Sequence, residues 1–273
     1  MIEYFAIFAI GFAVSAFGTL VGFGGGVFMV PILTLVFQLP IQLAIGCVIM
    51  ALFPSALLST VHNTRRGLID FTVGIMLEIP TVIGTVIGAR LTNLLPTEQL
   101  EVLFSVMIII VGATMLREQP DAAPAPLGFF RKMNELPPRF QRKTAAGTYR
   151  MSGLTVTLFG LISGLIAGLF GIGGGFIKGP LMVLGFGIPA RIAAPTALFM
   201  IVITSAVGST SHYLLGHIQW QIGLLLVVSF TLGALFGNYR ARVISEKRLI
   251  KYIGFGLIAA GISMAVSVVA HLV

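Results

Sequence analysis

Charge is the scarce commodity in this sequence. Of its 273 residues only 10% are Asp, Glu, Lys or Arg, against about 25% in an ordinary soluble domain. A 29.0 kDa globule cannot cover a water-facing surface with so few charges, which excludes most soluble enzymes and binding modules. The shortage does not signal disorder, because 57% of the chain is hydrophobic and 21 residues are Phe, far too much apolar surface for an unfolded segment. Cysteine is nearly absent. Cys47 stands alone inside an apolar run, so no internal disulfide and no thiol-based metal site are expected. The opening Met1-Ile2-Glu3 lacks the basic region of a signal peptide, so the first apolar segment is expected to stay in the mature chain. The pI near 10.2 comes without finger spacing, a basic helix or an aromatic-laced basic surface, and nucleic acid is excluded as a partner.

What the sequence does have is apolar length. Mean hydropathy is +1.03, and no charged residue occurs between Glu3 and Arg65, between Arg191 and Arg240, or after Lys251. Each gap holds at least one span of roughly 20 residues. The pattern predicts an all-α polytopic membrane protein with apolar segments at 4–21, 27–38, 42–64, 68–90, 99–116, 152–169, 176–187, 190–214, 218–239 and 249–271. Residues 117–150 form the one sizeable polar stretch and read as a basic linker, in which Phe129-Phe130-Arg131-Lys132-Met133 has the composition of a short surface helix. The domain expectation is a first membrane repeat over 1–116, the linker over 117–150, and a second repeat over 151–273.

The two repeats are copies. A shift of 149 residues, without a gap, carries Gly22, Gly24, Gly25, Gly26, Gly84 and Gly88 onto Gly171, Gly173, Gly174, Gly175, Gly233 and Gly237, and Pro31 and Pro40 onto Pro180 and Pro189. Duplication of this kind is a common plan for secondary transporters. With five segments per repeat, fifteen of the 17 basic residues fall on one side of the membrane, leaving Arg90 and Lys178 on the other. Four crossings per repeat divide the same residues nine to eight. Positive-inside bias therefore selects two inverted repeats of about five segments, with both termini outside and 117–150 in the cytoplasm.

The glycine runs Gly22-Phe23-Gly24-Gly25-Gly26 and Gly171-Ile172-Gly173-Gly174-Gly175 break the helices where other residues would continue them. An opened backbone in hydrocarbon must be satisfied by protein or by a water-filled cavity, so two matching breaks point to the interior. They read either as broken-helix anion sites, with amides of Gly24, Gly25, Gly26 and Gly173, Gly174, Gly175 facing one cavity, or as tight turns. Neither run matches a Walker loop or a dinucleotide fingerprint. Gly84/Gly88 and Gly233/Gly237 have the spacing of close helix packing.

Intramembrane polar residues complete the candidate set. Lys178, where the first repeat has Met29, either attracts an anion or snorkels to the outer surface. Ser59, His62 and Asn63 near one helix end, and Ser209 and His212 near the other, offer hydroxyl, amide and imidazole donors. Thr196, beside a Pro195 that has the look of a helix start, is another. Glu78, matched by Val227, reads either as a proton carrier or as a hydrogen-bonded structural residue, since Pro80 nearby frees a carbonyl. No cofactor, metal or catalytic residue is expected.

The paired glycine segments, Gly22-Phe23-Gly24-Gly25-Gly26-Val27-Phe28-Met29-Val30-Pro31 and Gly168-Leu169-Phe170-Gly171-Ile172-Gly173-Gly174-Gly175-Phe176 with Pro180, together with His62-Asn63, Arg65 and Gly67, resemble the TauE/SafE sulfite exporter (TSUP) family. The resemblance covers the chain outside 117–150. It implies a transporter of sulfite, sulfonates or other small organic anions rather than an enzyme, in the cell membrane (the inner membrane in a Gram-negative cell). An anion channel of the same architecture is the alternative. The expected partners are the anion, the bilayer and protons. The direction of transport, the individual substrate and the oligomeric state are left open.

Overall fold

The computed structural model describes residues 2–116, 128–144, 147–240 and 246–272. Ten of its eleven helices are the expected apolar segments: α1 (Ile2–Val21), α2 (Gly26–Leu35), α3 (Ile41–Thr64), α4 (Phe71–Leu94), α5 (Thr97–Leu116), α7 (Gly153–Phe170), α8 (Gly175–Pro180), α9 (Ala190–Leu214), α10 (Trp220–Arg240) and α11 (Glu246–Leu272). Seven of them are long and apolar enough to cross a membrane. The chain is an all-α polytopic membrane protein. On α4 the residues Ile75, Ile79, Ile83 and Ile87 are exposed; their spacing of four aligns them in one ridge, an apolar face suited to lipid. The face turned inward carries Glu78, Thr81, Gly84, Thr85 and Gly88.

Local chemistry sets the element boundaries. Pro40 and Pro189 stand just before α3 and α9, where the absent amide costs nothing. Asp70 caps α4 by accepting from the Val73 amide at 3.2 Å, and Ser152 caps α7 through Leu154. Pro195 lies inside α9 instead of starting it. The helix runs five residues back to Ala190, so Pro195 sits past the first turn and leaves the Arg191 carbonyl without its i→i−4 amide partner. The 10-residue α2 is about 15 Å long at 1.5 Å per residue, half of a hydrocarbon core of about 30 Å. Its counterpart α8 continues through a π-helical turn, Leu181–Gly185.

The linker is more than a connector. Its described part holds α6 (Gly128–Met133), where the surface-helix composition occurs, followed by an antiparallel hairpin of β1 (Arg139–Thr144) and β2 (Gly147–Ser152). Tyr149 and Met151 of β2 are buried in one apolar cluster with Val73, Leu77, Leu181 and Met200. Asn134 donates to the Gly185 carbonyl at 2.8 Å, and Arg142 pairs with Asp70 at 3.3 Å. The linker is thereby docked on the ends of α4 and of the π-helical turn. Charge and proline content pointed to a plain connector; the buried Tyr149 and Met151 are what anchor it. Residues 117–127 and 145–146 lie outside the described residues.

Helix packing follows the repeat. α4 packs on α7 and on α9, and the shifted pairs, α10 on α1 and on α3, are also in contact; α3 meets α9 and α5 meets α11. The shift of 149 residues exchanges every one of these contacts with another or with itself. α4 and α10 thus lie against helices of the opposite repeat, giving one bundle of α1, α2, α3 and α10 and another of α7, α8, α9 and α4.

Candidate functional site: a buried lysine beside the glycine breaks

The two glycine runs meet. A Cβ on Gly26 would lie 3.2 Å from the Ile172 Cα, and one on Gly175 would lie 3.1 Å from the Gly22 carbonyl oxygen. Leu52 of α3 and Ile201 of α9, positions related by the shift, close over both runs, standing next to Gly24 and Gly173 alike. Gly25 and Gly174 cap α2 and α8 in the left-handed region, with φ of 93° and 70°, which side-chain-bearing residues rarely adopt. The first amides of α2 and α8 therefore open beside one another at the centre of the molecule, as helix starts without intrahelical acceptors.

Directly beside the second break the repeat symmetry ends. Lys178 is fully buried and Glu78 is 2% exposed. The Lys178 ammonium donates to Glu78 Oε2 at 2.7 Å and to Thr204 Oγ at 2.6 Å. Thr204 Oγ also lies in hydrogen-bond contact with Glu78 Oε1 and is 3.1 Å from the Met200 carbonyl. Among the described residues these are the ammonium's partners, so one of its three N–H donors stays open. The missing Cβ of Gly174 makes room for the lysine stem, for it would lie 3.3 Å from Lys178 Cε. The snorkelling reading of Lys178 therefore fails: Glu78 on α4 gives it a counterion at depth, so the side chain has no need of the surface. Nor does Glu78 answer a carbonyl freed by Pro80. Both its oxygens face the lysine–threonine pair.

The positions related to these three by the shift are Met29 and Ser55 in the first repeat and Val227 on α10 in the second, and they carry no charge. Thr204 is the member that sequence reasoning missed, since a hydroxyl in an apolar helix has many uses. The available signal was that Lys178 and Glu78, opposite charges in an apolar chain, both depart from the repeat.

The remaining candidates do not join this cluster. Thr196 accepts from the Asp70 amide at 3.0 Å, close to the docked linker. Ser59 donates to the Ser55 carbonyl at 2.9 Å and accepts from Asn238, and Asn63 donates back to the Ser59 carbonyl at 2.8 Å. His62, one position before Asn63, is half-buried. Ser209 donates to the Ser205 carbonyl. His212 Nε2 lies 2.8 Å from the Gly168 carbonyl and its Nδ1 3.0 Å from His217 Nδ1. The carbonyl requires a proton on Nε2, so in the neutral pair His217 is the Nδ1–H donor. Burial holds His217, in the loop after α9, below the ordinary imidazole range. Ser59, Thr196 and His212 join their helices to neighbouring elements and Asn63 and Ser209 bond within their own, whereas the lysine cluster ties α4, α8 and α9.

A buried ammonium at a glycine break, with one donor open, is equipped to hold an anion. The family model described as "Sulfite exporter TauE/SafE" matches residues 7–264. The chain belongs to that family. It is 27% identical over 266 residues to the probable membrane transporter protein YunE of Bacillus subtilis (strain 168), covering 92% of both chains. A second relative from that organism, the probable membrane transporter protein YdhB, is 28% identical over 105 residues, 36% of this chain and 43% of its own. No solved structure matches significantly. Membership makes this TauE/SafE protein a membrane transporter and not an enzyme, and anions are the general class its fold carries.

Proposed function

We propose that this protein is a secondary transporter of small organic or sulfur-containing anions, sulfite and sulfonates foremost, driven by an alternating-access cycle of two inverted five-segment repeats. The observation that carries the proposal is the fully buried Lys178 ammonium beside the junction of the two glycine breaks. A lysine at that depth is rare and marks a substrate or ion path. The amides of Gly25 and Gly26 and of Gly173, Gly174 and Gly175 add partial positive charge from two directions, whereas that of Gly24 is taken by the Gly18 carbonyl at 3.0 Å. Glu78 is the proton carrier of the cycle. Thr196, Ser59, His62, Asn63, Ser209 and His212 lie along the helix ends and contribute to the two vestibules. The sulfur-containing substrate is supported by the description of the matching family as a sulfite exporter.

The exchange of packing contacts by the 149-residue shift supports a two-fold relation between repeats 1–116 and 151–273. The distribution of basic residues supports the inverted form, with both termini outside and 117–150 in the cytoplasm. The test is flux into proteoliposomes for sulfite, sulfoacetate, sulfate and acetate, with and without a pH gradient. Uptake of sulfite or sulfoacetate is expected in the wild type, with at least a tenfold loss in Lys178→Met. A protein that moves none of these anions, or a Lys178→Met variant with wild-type flux, would sink the proposal.

A further inference from the structure

We infer that the Lys178–Glu78–Thr204 cluster is a centre that binds an anion and a proton together, in which the transported anion and the Glu78 carboxylate exchange places on the same ammonium. The inference rests on the anion-transport reading and adds its coupling rule, its charge selectivity and a role for Thr204. Glu78 presents one carboxylate oxygen to the Lys178 ammonium and the other to Thr204 Oγ. That is the arrangement an oxyanion head group takes against one ammonium and one hydroxyl. Glu78 therefore occupies the substrate's place as a built-in mimic, and an anion reaches Lys178 by displacing it.

Charge balance governs the exchange. The resting cluster is neutral, one ammonium against one carboxylate. When an anion takes over the ammonium, an ionised Glu78 is left buried without a counterion, and burial strongly disfavours that state. Glu78 then takes a proton from water. Thr204 is built to follow that proton. Against the carboxylate its single hydrogen points to Glu78 Oε1; against the carboxylic acid it turns to the Met200 carbonyl, 3.1 Å away, and Oγ accepts from the acid instead. The occupied cluster again sums to zero when the substrate is monovalent. Binding thus takes up one anion and one proton together, and a divalent head group leaves a charge uncompensated.

Among the described residues no other titratable group on the elements packed around the cluster competes for this role. α7, packed against α4, carries none among its residues, Gly153–Phe170. α8 brings Lys178 itself. The titratable side chains of α9 are Arg191 in its first turn and His212 and Tyr213 in its last, each more than two turns from Thr204. On α4, Arg90 lies three turns beyond Glu78, and Asp70, two turns before it, is paired with Arg142. The hairpin adds Tyr149, buried in the apolar cluster that holds Leu77.

The experiment uses the full chain purified in detergent, with methanesulfonate, ionised throughout the range, as the monovalent probe and sulfate as the divalent one. Binding is followed by calorimetry, and proton uptake by a pH indicator in weak buffer. Wild-type protein is expected to take up about one proton per methanesulfonate bound, with Kd rising about tenfold per pH unit. Glu78→Gln is expected to bind at alkaline pH as tightly as the wild type does at acid pH, with no proton uptake. Thr204→Val should lose the tight acid-limb binding that Thr204→Ser keeps. Methanesulfonate binding without proton uptake and without pH dependence would overturn the exchange and leave the anion-transport reading standing, as would equal affinity for sulfate. Binding of neither probe, nor of sulfite or sulfoacetate, by wild type or by Glu78→Gln would overturn both. The proton count is made on the wild type, so a poorly folding variant does not remove the test.

Discussion

Lys178 and Glu78 are each expensive to bury and cheap to bury together, and this asymmetry decides how they respond to substitution. Removing one partner of a buried pair costs about 3–5 kcal/mol, whereas replacing both by well-packed apolar groups is often neutral or stabilising. The molecule contains a template for the second case in Met29 and Val227, the counterparts of the two charges in the first repeat and in α10. Lys178→Met alone is therefore expected to lower the thermal unfolding temperature in detergent. Adding Glu78→Val should restore it to the wild-type value or above while anion binding stays lost. A double variant no more stable than the single one would show that the cluster holds the fold by something other than paired charge. Both residues stand out in the sequence as charges in apolar surroundings, but their pairing does not. They are separated by 100 positions, and α4 had to be placed against the opposite repeat before they could meet. Thr204 carries no mark at all until its neighbours are known.

At the scale of elements, the contact of α4 with α7 is glycine-made. Gly84 and Gly88 face the backbone of α7 at Leu161 and Leu165, and Gly164 and Gly168 face that of α4 at Thr81 and Thr85; any Cβ there would lie under 3.0 Å from backbone atoms. Gly233 and Gly237 repeat the arrangement against Phe12 and Ala16 of α1. Such contacts, free of side chains, let backbones approach and carry the helix pair by dispersion. Gly164→Leu is expected to destabilise the protein by about 1–3 kcal/mol through overpacking, read as a lower unfolding temperature and a smaller folded yield. Gly174→Leu differs, because it forces a side chain into a left-handed φ and toward the Lys178 stem. It should depress flux more than folded yield, and equal losses in both readouts would reduce that glycine to a packing role. The spacing of four residues made the glycine contacts legible, and hydropathy placed the apolar helices to within a few residues at most ends. The linker hairpin escaped notice because its strands, RFQRKT and GTYRMS, present too few apolar positions to show a period. Their anchor comes from Tyr149 and Met151 meeting helices distant in sequence.

For the whole molecule, the exchange of α4 and α10 between repeats governs how the protein is made. The bundle that holds the lysine cluster takes α4 from the first repeat and α7, α8 and α9 from the second, so a nascent chain that has delivered only residues 1–116 owns a Glu78 with no counterion and a glycine-lined α4 face with no α7. The other bundle waits still longer, for α10. Cutting the gene within the linker is therefore expected to give two fragments, 1–122 and 123–273, that are each degraded when expressed singly. Expressed together they should purify as one complex with measurable anion flux. Stable accumulation of either fragment alone would refute mutual dependence. The chain carries its duplicated parts as interlocked strangers, each the other's missing helix. Synthesis reaches no point short of α10 at which a finished unit can be released.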